Sequence, residues 1–104
     1  MTGRPTMDGE RTALDADGNM LREWDGVILL RALKPTAQGN CESMPNEIPA
    51  GTRATAIALL DPDEGTLDLE CYLDEGGELY AFAHGTAADV RVIERIEDKK
   101  AVEL

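Results

Sequence analysis

Apolar and polar residues alternate most cleanly between Thr66 and Leu73. Leu67, Leu69, Cys71 and Leu73 fall on one face, and Asp68, Glu70 and Tyr72 on the other. A period of two over that length predicts a β-strand with one face in a core and the other turned outward. A strand is also predicted over Thr52–Leu60, where Ala54, Ala56 and Ala58 recur at every second position. The alanines alone would suit a helix, but Ile57, Leu59 and two threonines favour an extended chain. Val27–Leu33 is short, rich in branched side chains and bounded by Asp25-Gly26 and Pro35, so it reads as a further strand. Val27 and Leu29 alternate there with Ile28 and Leu30, and both faces are expected to be partly buried. Glu75-Gly76-Gly77-Glu78 predicts a hairpin turn leading into a strand over Leu79–Ala83. His84–Asp89 is long enough for one 3₁₀ turn only, and Val90–Ile96 is the last predicted strand.

The segments between these runs carry turn and loop signals. Asp15-Ala16-Asp17-Gly18-Asn19 separates Leu14 from Met20-Leu21 and predicts a tight turn between two short extended pieces. Asp and Asn bond back to their own backbone there, and Gly18 supplies a positive φ. A calcium loop is the competing reading, but that motif needs glycine sixth and glutamate twelfth. Here Gly18 is fourth and Gly26 twelfth. Lys34–Gly51 holds three prolines and two glycines and is expected to be a long polar loop without a helix, which in a compact domain is often functional. Asp61–Gly65 reads as a turn. Residues 1–12 are expected to form a flexible arm, 13–96 one folded domain, and 97–104 a charged tail.

The predicted order is strand, long loop, strand, turn, strand, turn, strand, 3₁₀ turn, strand. It fits a mainly β fold: a small five-stranded SH3-like barrel with a short N-terminal hairpin or extended arm and a long first loop. Five short strands closing a sheet on itself hide most of the edge groups that would otherwise template aggregation. Function does not follow from such a fold.

The stretch Asp15–Lys34, DADGNMLREWDGVILLRALK, resembles the C-terminal barrel domain of the PhnA (alkylphosphonate-named) family. The family pattern runs D-x-N-G-N-x-L-x-D-G-D-x-V-x-L-I-K-D-L-K without gaps. Asp15, Gly18, Asn19, Leu21, Asp25, Val27, Leu29, Leu33 and Lys34 match it. Ala50-Gly51-Thr52 is similar to the step before the family's second strand, and Leu69–Asp74 to its short I-D-C-K-I-D segment. The resemblance covers residues 15–75 and implies the same barrel. It departs at Trp24, where the family has glycine, and in Pro35-Thr36-Ala37, where the family has a basic loop. The zinc ribbon with paired CxxC motifs that precedes the family's barrel has no counterpart here, so neither its metal site nor a phosphonate-cleaving site carries over.

Charge changes the picture. Twenty-one acidic and ten basic residues leave a formal charge of −11, which disfavours phosphate backbones and anionic lipid and suits a basic protein partner. Nucleic-acid binding would need Lys34, Arg53, Arg91 and Arg95 to converge on one face. No apolar run approaches a membrane span, and the N-terminus lacks the apolar core of a signal peptide, so the expected location is cytoplasmic. Two cysteines do not make a disulfide framework.

No catalytic set is expected. His84 is the one histidine, and pairing it with Cys71 would need a thiol that the alternation places in the core. A zinc site from Cys41, Cys71 and His84 would draw single ligands from three elements, where structural zinc uses closely spaced pairs. Gly76-Gly77 and Gly85-Thr86 are turn chemistry and not a phosphate loop. No cofactor and no metal are expected.

The candidate binding residues are Tyr72, Tyr80, Trp24 and His84. Tyr72 is expected to face out. Phe82 is expected in the core as its one phenyl ring; in the alternative phase it faces out beside Tyr72 and Tyr80. Two functional readings remain. The first is a non-enzymatic acidic module that docks a protein partner, or itself, through the long loop and the Tyr72/Tyr80 face. The second is a small-molecule or minor enzymatic site around His84 and Cys71.

Overall fold

The computed structural model describes residues 12–61 and 63–95. The chain is mainly β and forms two sheets. β1 (Thr12–Leu14) and β2 (Met20–Arg22) form a hairpin of their own. The second sheet holds β3 (Gly26–Leu29), β4 (Pro35–Gln38), β5 (Arg53–Asp61), β6 (Thr66–Tyr72), β7 (Tyr80–Thr86) and β8 (Val90–Glu94), in the order β4-β7-β6-β5-β3-β8. All its pairings are antiparallel. A 3₁₀ turn, Ala87–Asp89, joins β7 to β8.

The N-terminal turn forms as its residue types require. Asp15 Oδ1 accepts the N–H groups of Asp17 (2.9 Å) and Asn19 (2.8 Å), and Gly18 sits at φ 84°. The other oxygen of Asp15 reaches across the fold to accept the Val92 N–H at 2.9 Å, and the Ala16 N–H donates to Val90 O at 3.0 Å. The turn is thereby laid along the outer edge of β8. This bears on the expected barrel. The sheet does not close among the described residues, and β4 and β8 remain its two edges. Instead of a partner strand, β8 has the hairpin turn against it, one of the ways an edge is kept from pairing with another chain.

The core lies on one face of the large sheet and is built in rows. On β5, β6 and β7 the rows run Ala54–Cys71–Ala81 and Ala56–Leu69–Ala83. Every member of both rows is buried. In the second row a leucine flanked by two alanines fills the space without overcrowding it, which accounts for Ala56 and Ala83. The alanine period breaks at Ala58: an irregularity between Ala56 and Ala58 shifts the phase, so Leu59 turns inward beside Leu67 while Ala58 pairs with Asp68.

Several expectations are corrected. The strand predicted over Val27–Leu33 ends at Leu29, and Leu30 is exposed. The expected loop from Lys34 to Gly51 contains β4, which pairs with β7 and makes six strands rather than five. Pro35 opens β4 at the edge of the sheet, where its missing N–H costs no ladder bond. The segment is pinned at its base by reciprocal bonds between Leu33 and Ile48 (2.9 and 2.7 Å), and both side chains are buried. β7 runs on to Thr86, three residues past the predicted end. Thr12, expected in the arm, pairs with Arg22. The rest of the arm, Pro62 of the predicted turn, the Ile96 end of the last strand and the tail lie outside the described residues.

Trp24 stands in the β2–β3 turn at φ 75°, a left-handed conformation that bulky residues rarely adopt. The glycine that the resembled pattern has at this position would hold the same backbone without strain. The conformation aims the Trp24 N–H at Ala56 O (2.6 Å), while the Ala56 N–H returns to Asp25 O (3.0 Å). Asp25 is fully buried. Its Oδ2 accepts the Arg22 N–H at 2.9 Å and lies 3.2 Å from Arg95 Nη1.

Candidate functional site: the outer face of β6 and β7

The side of β6 and β7 turned away from the core gathers most of the residues that sequence singles out. The register places Tyr72 opposite Tyr80, Glu70 opposite Phe82, Asp68 opposite His84, and Thr66 opposite Thr86. Since Leu67, Leu69, Cys71, Ala81 and Ala83 are all buried on the other face, these eight residues share one surface. Tyr80 and Phe82 meet edge to face, with ring centroids 5.7 Å apart. Phe82 is therefore not the phenyl ring of the core, contrary to expectation. Strict alternation with Ala81 and Ala83 is the signal that would have found it. The core row already holds Leu69, and an alanine is what the space beside it admits.

The tyrosines are held in place. Tyr72 Oη lies 2.6 Å from Thr55 Oγ1 and donates to Glu70 Oε1 at 3.0 Å. Burial, reinforced by Glu70, raises the Tyr72 phenol above its ordinary value against the opposing effects of Thr55 and Arg53. The segment after β4 lies against Tyr80. The Tyr80 N–H donates to Asn40 O at 3.0 Å, and Asn40 Nδ2 donates to Glu78 O at 2.7 Å. A Cβ on Gly39 would fall 2.5 Å from the Tyr80 ring and 2.7 Å from its backbone oxygen, so the close approach requires glycine.

Past Tyr72 the face opens into a cleft of about 700 Å³. It lies between Gly51–Arg53 and the β6–β7 hairpin, and is lined by Arg53, Tyr72, Asp74 and Glu75. Asp74 Oδ1 caps the hairpin by accepting the N–H groups of Glu78 (3.0 Å) and Leu79 (3.2 Å). Thr55 carries no motif signal. Its place here comes from the β5–β6 register, which sets it opposite Glu70.

The four candidate residues separate into two places. Tyr72, Tyr80 and His84 share the face, with His84 Nε2 3.7 Å from Asp68 Oδ1 and largely exposed. Trp24 is exposed, but its turn is bonded to β5 on the side of β3, two strands away from β7. Cys71 lies on the core face, fully buried, and burial, with Asp68 and Glu70 adding to it, pushes its thiol up to about 12. His84 and Cys71 thus point to opposite sides of the sheet and share no site. In the native protein a thiol reagent is expected to modify Cys41, which is half-buried, and to spare Cys71. Mass spectrometry should show one adduct under native conditions and two after unfolding; rapid native modification of Cys71 would contradict this placement.

Among the described residues no group of three or more His, Cys, Asp or Glu is placed to hold a metal ion, and no helix is long and apolar enough to cross a membrane. No protein-family model, curated protein or solved structure matches the chain.

Proposed function

We propose that the protein is a non-enzymatic docking module that receives a protein partner on the outer face of β6 and β7. One observation carries this reading. Three of the four aromatic residues of the chain stand together on the sheet face opposite the core, with Tyr72 across from Tyr80 and Tyr80 packed on Phe82. Aromatic rings carry large apolar area that dominates interface energetics, and tyrosine is among the residues most enriched at binding hot spots. The scaffold we propose is of the SH3-like barrel type, as in the PhnA-family domain that the Asp15–Lys34 stretch resembles. The strand order β8-β3-β5-β6-β7 and the 3₁₀ turn before the last strand support that reading.

His84 stands on this face 3.7 Å from Asp68, while Cys71 is buried on the opposite side of the sheet, which favours docking over a site built on His84 and Cys71. Arg91 and Arg95 are each paired with a carboxylate, Asp17 at 2.6 Å and Asp25 at 3.2 Å, and this argues against a nucleic-acid surface. A cytoplasmic location fits the reading, as does a partner of opposite charge.

Affinity retention from host lysate at low and moderate salt tests the proposal, using the full chain and a Tyr72→Ala/Tyr80→Ala variant whose fold is checked by circular dichroism. One stoichiometric partner is expected on the wild type and none on the variant. Retention indifferent to both substitutions would sink the proposal.

A further inference from the structure

The outer face has a chemical pattern beyond its aromatic content. Along β7 it presents Tyr80, Phe82 and His84, a column of rings. Along β6, beside them, it presents Glu70 and Asp68, a column of carboxylates. Each carboxylate stands directly across from a ring: Glu70 from Phe82, and Asp68 from His84. A ring face next to a carboxylate suits a guanidinium, which stacks on the ring and donates in-plane hydrogen bonds to the acid. Same-face residues on a strand repeat at about 7 Å, so the two carboxylates are spaced like alternate side chains of another extended chain.

The surroundings set the polarity of the face. Asp74, Glu75 and Glu78 continue the negative charge around the hairpin. Arg53 lines the cleft beyond Tyr72 and sets a positive charge at that end of the Glu70–Asp68 column. A bound cation is therefore directed to Glu70 and Asp68, away from Arg53.

From this, and resting on the docking reading above, we infer that the partner presents an extended segment with arginines at alternate positions, Arg-x-Arg. One guanidinium lies over Phe82 against Glu70, and the next lies beside His84 against Asp68.

The test is a titration of the ¹⁵N-labelled full chain with three synthetic peptides: Gly-Arg-Ser-Arg-Gly, the same peptide with citrulline at both arginines, and Gly-Arg-Arg-Ser-Gly. Shift changes from the alternating peptide are expected on 66–72 and 80–86. Affinity should fall about tenfold with citrulline, or in an Asp68→Asn/Glu70→Gln variant, for two partly exposed charge pairs. The adjacent-arginine peptide should bind more weakly than the alternating one. Glu47→Gln, an exposed acid on the β4–β5 connection, controls for the overall charge of −11 and should leave affinity unchanged.

Equal binding of arginine and citrulline peptides, an equal loss with Glu47→Gln, or shifts centred on other strands would overturn the inference. If the peptides fail while lysate retention still depends on Tyr72 and Tyr80, the arginine chemistry falls and the docking face stands.

Discussion

Leu69→Ala is expected to lower the unfolding free energy by about 3–5 kcal/mol, the upper part of the range for a buried leucine. Leu69 is fully buried at the centre of the row Ala56–Leu69–Ala83. The size of the loss depends on how far the neighbours can collapse into the space left behind. Here they cannot. Both flanking side chains are single methyl groups, and the next row along contributes Cys71 between Ala54 and Ala81. The variant would have a row of three alanines under the middle of the sheet. Urea unfolding followed by circular dichroism measures the change. Leu30→Ala is the internal comparison: Leu30 is 40% exposed, and its loss is expected to stay within about 0.5 kcal/mol, as for surface substitutions generally. Equal losses at the two positions would mean that the core does not lie where the rows place it.

The second large effect is expected at Asp15. Asp15→Ala removes the acceptor for three backbone N–H groups, two in the hairpin turn and one on β8, at an expected cost of about 2–3 kcal/mol. Asp15→Asn is expected to fall between the wild type and alanine. Its carbonyl oxygen still serves Asp17 and Asn19, but its amide group meets the Val92 N–H donor to donor.

The same residue shapes the pH dependence. Burial raises the Asp15 carboxyl, but the N–H donors of Val92, Asn19 and Asp17 outweigh it and hold the group below its ordinary value of 3.8. Asp89 is likewise held low: burial again opposes, and Arg31 and Thr86 prevail. With the folded pKa depressed, the unfolded chain binds more protons at acid pH, so stability rises with pH through that window. The contribution is fully present above the ordinary carboxylate value and is lost as pH falls through the lowered folded values. Unfolding free energies measured from neutral pH into this acid range should decline more steeply for the wild type than for Asp15→Ala. Parallel curves would contradict the assignment.

Much of this architecture could be read from the chain because the informative residues act locally. Alternation placed β6 on its correct face, since a strand with one buried face has no freedom to slip by one residue. The Asp15–Asn19 turn was legible because its side chains bond to their own backbone. The nine positions shared with the PhnA-type pattern turn out to be mostly structural. Leu21, Val27, Leu29 and Leu33 are core, Asp15 and Asp25 are buried carboxylates accepting backbone N–H groups, and Gly18 supplies a positive φ.

What was not legible depended on distant partners. Pro35–Gln38 has weak strand character of its own and is extended because β7 offers an edge. Phe82 was expected inside because phenyl rings are usually buried. The deciding fact, a leucine already filling the row on the neighbouring strand, is visible only once β6 and β7 are in register. The cleft beside Arg53 and the Thr55–Tyr72 contact likewise exist only through pairing between strands.

We propose the outer face of β6 and β7 as the surface that docks the partner. Hydroxyl-radical footprinting with mass spectrometry, on the chain alone and bound to the partner it retains, tests this most directly. Tyr80 and Phe82 are expected to become protected in the complex, while the exposed Trp24, two strands away, keeps its reactivity. Protection of Trp24 with Tyr72, Tyr80 and Phe82 unchanged would place the working surface on the β2–β3 turn and contradict the account.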